Sequence, residues 1–320
     1  MIRMRAISSP FYREFLRNSD KTYDRNRCAN PIRHITKGAG MKFRIVMDSA
    51  GELTDDLKGK EEYTTVPFTI RLGEEEIVDD GHISTLELVR KIAACPTCAK
   101  TACPSPDAFR DAFEAVDADH YYGVTISGNL SGSFQAATVG MNMFLEDYPD
   151  AKIHIFDSKS TSVKETMIVL MVKELEEQGL PFEEIVEKTE AMIYNADTYF
   201  TLDNLETLRK NGRLSKMKGL AATLLKIKPI CFGNKDGEIE QIGQARGSNK
   251  ALLKMVEMLA KNVVNPESKV LGISHTNCHD RALMVRDAIL SRIKVKEVVM
   301  VETAGLSTTY ANDGGIIVVI

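Results

Sequence analysis

The sequence predicts an α/β chain of two domains: an α/β/α three-layer domain on a parallel sheet, then a two-layer α/β domain with a mixed sheet. Two observations carry this. From Met41 to Gly179, short apolar runs alternate with helical stretches, the grammar of a parallel sheet. Beyond Pro181 the hairpin signal Asn234-Lys235-Asp236-Gly237 breaks that alternation, and a hairpin inside an α/β pattern makes the sheet mixed. The expected divisions are an extension over 1–40, a first domain over 41–196 and a second over 197–320.

With 320 residues and 43% hydrophobic composition, the chain can bury two cores. A formal charge of −4 gives no electrostatic case for nucleic acid or an anionic membrane as partner. No apolar run approaches the ~20 residues of a membrane-spanning helix. Residues 1–40 hold nine Lys/Arg against three acids and lack an apolar h-region, so they do not read as a secretory signal. They are expected to be a disordered arm or a mispredicted extension, with an organellar transit peptide as the alternative and Met41 opening the first strand. Six cysteines without a signal peptide point to free thiols in a reducing, cytoplasmic compartment.

Phe43–Met47 reads as the first strand, and Asp48–Leu53 as a polar turn opening a short helix. Val66–Leu72 alternates as a half-buried or edge strand with Pro67 near its start, and Gly73–Glu76 turns the chain. Ser84-Thr85-Leu86-Glu87 is a capping box for a helix to Ala94. Ser105 caps a second helix with Pro106 at its first position and Phe109, Ala112, Phe113 and Val116 as its apolar stripe. Tyr122–Ile126 is a buried strand, with Ser131 or Ser133 capping a helix whose face holds Ala136, Val139, Gly140 and Met143. Ile153–Phe156 is a strand, followed by helices through Met167 and over 182–194. The second domain reads as strand Tyr199–Leu202, a short helix through Leu208, helix Leu220–Ile227, strand Lys228–Phe232 and the hairpin into Glu238–Ala245. Strands Val270–Ser274, Val298–Val301 and Ile316–Val319 then follow, with helices Ala251–Leu259 and Ala282–Ile289.

The chemistry concentrates in Thr125–Ala137, where a strand breaks into Gly and Ser before a helix. Free loop amides, hydroxyl donors and the helix dipole together suit an anion. Asp48-Ser49 and Asp157-Ser158 fall at the same carboxyl edge of the sheet, where open α/β folds bind ligands. Ser131 lacks the Gly-x-Ser-x-Gly frame of a nucleophile elbow, so a serine- or carboxylate-dependent hydrolase of a lipid-like ester, with His120, His154 or His275 as base, is the alternative function. Cys95-Pro96-Thr97-Cys98 with Cys103, and His275, Cys278 and His279, raise zinc or thiol redox chemistry, but the first pair follows a helix rather than opening one.

Seven motifs in register resemble the DegV family of bacterial lipid-binding proteins, which includes the fatty-acid-binding subunits of fatty acid kinase. They are Asp48-Ser49, Val66-Pro67-Phe68, Thr101-Ala102-Cys103-Pro104-Ser105, Ile126–Ala137, Asp157-Ser158, Leu208–Ser215 and Leu225–Ile230. The resemblance implies one long-chain fatty acid, such as palmitate or oleate, held in an interdomain tunnel for lipid transport or fatty acid metabolism. It implies no chemistry of the chain's own, no cofactor and no metal. By position, Thr101 and Ser131 would bind the carboxylate, the amides around Gly132 would assist, Arg213 would support the head group, and Arg246 would meet a fatty acid kinase subunit. Three departures stand out: Thr-Ala-Cys-Pro for the family's Thr-Ser-Gln-Pro, Asn-Gly-Arg for Gly-Gly-Arg, and Tyr310 where the family offers a histidine. A phenol still donates a hydrogen bond but cannot become a cation.

A fatty acid asks for a dry tunnel and a satisfied head. At ~0.8 kcal/mol per methylene, roughly fourteen methylenes offer on the order of 10 kcal/mol before ordering costs. An unpaired carboxylate in low dielectric is too costly to stay ionised, so hydroxyls and amides must meet it. Met141, Met143, Met167, Met171, Leu170 and the Leu220–Leu225 helix are the expected tunnel lining.

Overall fold

The computed structural model describes residues 42–214 and 227–320. The expectations for 1–40 and for a helix over 220–226 lie outside the described residues. The chain opens with β1 (Phe43–Asp48) and β2 (Tyr63–Val66), then β3 (Thr69–Leu72), β4 (Glu75–Val78), α1 (Thr85–Ala94) and β5 (Lys100–Ala102). The alternation resumes with α2 (Pro106–Glu114), β6 (His120–Thr125), α3 (Ser133–Asp147), β7 (Lys152–Asp157), α4 (Val163–Glu177) and α5 (Phe182–Asn195). The second half runs β8 (Thr198–Thr201), α6 (Glu206–Lys210), β9 (Ile227–Gly233), β10 (Ile239–Arg246), α7 (Ser248–Asn262), β11 (Val270–His275), α8 (His279–Leu290), β12 (Glu297–Glu302), α9 (Gly305–Ala311) and β13 (Ile316–Val319).

The first sheet is parallel, in the order β2-β1-β6-β7. Alternate side chains of its strands point to opposite faces, and both faces are covered. Val46, Tyr121 and Ile155 pack with Phe109 and Phe113 of α2 and with Ala137 and Phe144 of α3. Ile45, Met47, Tyr122 and Phe156 pack on the other face with Ile168 and Val172 of α4 and Ile185 of α5. This is the expected three-layer arrangement.

The second sheet has the order β10-β9-β8-β13-β11-β12, parallel between β11 and β12 and antiparallel elsewhere. Ile316 and Val318 face Leu252, Met255 and Leu259 of α7 and Val285 of α8. Their neighbours point the other way, Ile317 with Phe200, Leu202 and Leu208, and Val319 with Val163 and Met167 of α4. The mixed sheet therefore has helices on one side and presents its other side to the first half of the chain.

Several sequence expectations are corrected. Asp48–Leu53 is a turn, not a helix start, because its backbone bonds elsewhere: the Ala50 carbonyl accepts from the Ser162 amide, and the Glu52 carbonyl from the Thr166 hydroxyl. Val66–Leu72 is two strands parted at Pro67, and β3 joins β4 and β5 in a separate three-stranded antiparallel sheet that packs on Leu88 of α1. Neither Ser131 nor Ser133 occupies the N-cap of α3; Gly132 does, and the buried face is Ala136, Ala137, Gly140 and Phe144, with Val139 exposed. Gly140 is the close-approach residue, since a Cβ there would lie 2.6 Å from the Pro106 carbonyl oxygen of α2.

Candidate functional site

The small antiparallel sheet carries Thr101, placed opposite Ile70 on β3. Ser131 precedes α3, Arg213 sits in the turn after α6, and Tyr310 is on α9. All four line one cavity. The rest of its wall is largely apolar: Phe68, Ile126, Leu130, Phe200, Leu202, Leu208, Ile239, Leu306 and Ile317. These residues come from both halves of the chain. Gly132 is exposed at the N-cap of α3, and Arg246 is exposed at the end of β10; neither lines the cavity.

The hydroxyl hydrogen bonds decide what this mouth can do. Thr101 Oγ1 and Tyr310 Oη are 2.9 Å apart, and either can donate. Two hydroxyls hold two protons and spend one on their mutual bond, so the other remains for an acceptor in the cavity. Ser131 Oγ accepts from the Ser133 amide at 3.3 Å, and no described residue takes its own proton. Arg213 Nε donates to the Leu130 carbonyl at 3.1 Å and Nη1 to the Asn211 carbonyl, so the guanidinium ties the Ser131 loop to its own turn. The mouth thus offers hydroxyl protons and a guanidinium to an anion, beside a largely apolar wall.

Tyr310 is set by carboxylates that the sequence did not single out. Asp79 accepts from the Gly305 and Leu306 amides at 2.9 and 2.7 Å and from Ser49 Oγ at 2.8 Å. Glu52 accepts from the Ala304 amide at 3.2 Å and from Ser162 Oγ at 3.0 Å. Together they satisfy the free N–H groups at the start of α9. Burial pushes the Glu52 carboxyl up to about 8 and raises that of Asp79. Below them, burial and the neighbouring Asp48 drive Glu165 well above the usual carboxylate range. Neither Glu165 oxygen has a hydrogen-bond partner among the described residues, and burial without a partner favours the neutral carboxyl. Asp48 in turn accepts from Ser133 Oγ at 2.5 Å and from the Ile126 amide at 3.1 Å, fixing both ends of the Ser127–Ser131 loop. Only the Asp48-Ser49 motif pointed to this cluster. The segment Gly305–Ala311 is Ser/Thr-rich and buried throughout except at Tyr310, so it carries no apolar periodicity to reveal a helix.

The loop is also latched to the second half. Ser127 Oγ donates to the Gly237 carbonyl at 2.8 Å, and Asn129 Nδ2 to the Asp236 carbonyl at 2.7 Å. Gly237 has φ +81°, and a Cβ there would fall 2.2 Å from Ser127 Oγ.

Other expected contributors lie elsewhere. Met167, Leu170 and Met171 line a separate groove with Met192, Val270 and Val299; Met141 of α3 packs on the core cluster of Phe109, Phe113 and Tyr121, and neither it nor Met143 lines the cavity, so the expected tunnel lining is corrected accordingly. The apolar periodicity that suggested those methionines marks helix packing faces, whereas the cavity wall is assembled from single residues of many elements. His120, His154 and His275 bond Glu176, Glu190 and His279, not Ser131. Among the described residues no three His, Cys, Asp or Glu side chains gather as metal ligands. Asp157 accepts from the Gly128 and Lys159 amides and pairs with Lys159, a loop staple.

The model of the DegV family, described as uncharacterised proteins, matches residues 42–320. The chain belongs to the DegV family. It is 32% identical over 255 residues to a DegV domain-containing protein of Streptococcus pneumoniae, covering 80% of this chain and 89% of the relative. A DegV-family crystal structure from Ruminococcus gnavus, refined with vaccenic acid, superposes with a TM-score of 0.84 at 44% identity, over 88% of this chain and 100% of the other. The Streptococcus pneumoniae Fatty Acid Kinase (Fak) B3 protein, loaded with linoleic acid, superposes with a TM-score of 0.80 at 31% identity, over 87% and 99%. A DegV protein of Eubacterium eligens loaded with heptadecanoic acid gives 0.79 at 31%, over 87% and 98%. Among the described residues of the DegV chain studied, no helix is long and apolar enough to cross a membrane.

Proposed function

We propose that this DegV protein binds one long-chain fatty acid of the palmitate or oleate class in the cavity and presents its carboxylate at the mouth. The observation that carries this is the Thr101–Tyr310 hydroxyl pair in a cavity whose wall is largely apolar. Its spare proton, the Ser131 hydroxyl and the Arg213 guanidinium answer a carboxylate, and the aliphatic wall answers the tail. The fatty acids in the Ruminococcus, Streptococcus and Eubacterium proteins support the same ligand class here.

On this reading 41–196 is the head-group domain and 197–320 closes the tunnel. The chain is a carrier in the cytoplasm, without catalysis of its own, that hands its acid to lipid transport or fatty acid metabolism. The kinship with a fatty acid kinase B3 protein makes a kinase subunit its natural partner, with exposed Arg246 at the docking surface. A hydrolase reading has less to stand on, because the described histidines are paired away from Ser131.

Native mass spectrometry of gently purified protein tests the proposal. The expected result is one acyl chain per protein, with occupancy reduced by Ser131→Ala and further by adding Thr101→Ala. A clean apo mass that takes up neither palmitate nor oleate would overturn it.

A further inference from the structure

One wall of the cavity does not suit a plain hydrocarbon. Ser160 and Thr198 line it, each about 95% buried, with Oγ and Oγ1 2.9 Å apart. As at the mouth, two hydroxyls spend one proton on each other, and no described residue accepts the second. Thr161, next in the chain, lines the same cavity, and its hydroxyl has no partner among the described residues. These groups lie away from the Thr101–Tyr310 pair. Thr198 and Leu202 both line the cavity from β8 and its end, and four extended residues separate them by ~13 Å, with the Leu202 end beside Tyr310. An aliphatic tail laid against this wall would leave a buried hydroxyl proton without an acceptor, an arrangement that folded proteins avoid.

We propose that the cavity takes an oxygenated acyl chain, one bearing a hydroxyl or keto oxygen away from its carboxylate, and that Ser160, Thr161 and Thr198 read that oxygen. The inference rests on the fatty-acid reading and narrows it. The oxygen accepts the spare proton of the Ser160–Thr198 pair, and a ligand hydroxyl can donate in return to Thr161 Oγ1. Such a site discriminates strongly against the analogue lacking the oxygen, because its own polar groups are then left unpaired.

The test is competition between stearate and a series of hydroxystearates and ketostearates with the oxygen stepped along the middle of the chain, read by native mass spectrometry on the full-length protein. At least one position is expected to bind about tenfold tighter than stearate. Thr198→Val and, separately, Ser160→Ala should bring that ratio close to one, whereas Ser131→Ala at the mouth should weaken both acids and leave the ratio standing. If stearate binds and no oxygenated chain binds tighter, this proposal is overturned while the fatty-acid reading survives. If the wild-type protein takes up none of these acids, the fatty-acid reading fails and this one with it. The wild-type ratio decides the matter even if a variant does not fold.

Discussion

Thr101 and Tyr310, 209 residues apart in the chain, meet hydroxyl to hydroxyl at 2.9 Å. Their contact joins β5 of the small antiparallel sheet to α9 near the end of the chain. On the function proposed for the cavity, head-group binding depends on these hydroxyl protons and on Arg213.

Removing one of those hydroxyls should therefore cost affinity without emptying the wall. Tyr310→Phe keeps the ring and loses the donor, and a hydrogen bond to a charged group contributes about 1.5–3 kcal/mol. Palmitate is expected to bind roughly tenfold more weakly or worse. Thr101→Val should do the same, and the double variant should cost less than the sum, because the two hydroxyls act as a pair. Isothermal titration across the four proteins checks it; strict additivity would mean the hydroxyls act independently.

Gly305 is where α9 is most sensitive. A Cβ there would fall 2.2 Å from Asp79 Oδ1, so Gly305→Ala must push the carboxylate off the amides it satisfies. Stranding those buried N–H groups is expected to cost about 2–4 kcal/mol in urea unfolding. Acyl occupancy should fall with it, since Tyr310 rides on the same helix. A variant as stable as wild type would show that α9 does not depend on Asp79.

Glu52 predicts a pH dependence. Its folded pKa, about 8, lies above the usual 4.5, so folding favours its protonated form. Its contribution to stability is full below about pH 4.5 and is lost as pH rises to about 8, with a slope of at most ~1.4 kcal/mol per pH unit. Asp48, Asp79 and Glu165 are also raised and add in the same direction. Glu52→Gln keeps an acceptor for the Ala304 amide and removes the titration. Urea melts at stepped pH should show a shallower decline in the variant between those limits; an unchanged slope would rule Glu52 out as a source.

The latch between the halves can be tested at Gly237. An alanine there meets Ser127 Oγ and must also hold φ +81°, a conformation costing ~1–2 kcal/mol for a side-chain-bearing residue. Gly237→Ala should destabilise by about 2–3 kcal/mol in urea melts. Ser127→Ala, which removes one hydrogen bond, should be milder, and combining the two should recover part of the loss by removing the 2.2 Å contact with Ser127 Oγ.

Local signals predicted most elements well. Ser84 and Ser105 cap α1 and α2 as their spacing requires, the Asp-Gly turn makes the β9–β10 hairpin, and, apart from β2, the strands of the parallel and the six-stranded sheet fall within a residue or two of their expected places. Such signals reach three or four residues along the chain, which is the range over which caps, turns and periodicity act. Thr101, Ser131, Arg213 and Tyr310 could be named from motif order, but not the bond between Thr101 and Tyr310, nor the carboxylates under α9. Strand β5 is three residues long, and α9 is a Ser/Thr-rich turn of helix with no apolar stripe. Both exist because partners far away in sequence satisfy their backbone: β3 for the one, Asp79 and Glu52 for the other. The chain's local chemistry determined its layers and turns, while the cavity was decided by tertiary packing, because each of its walls is made of residues that meet only once the two sheets face each other.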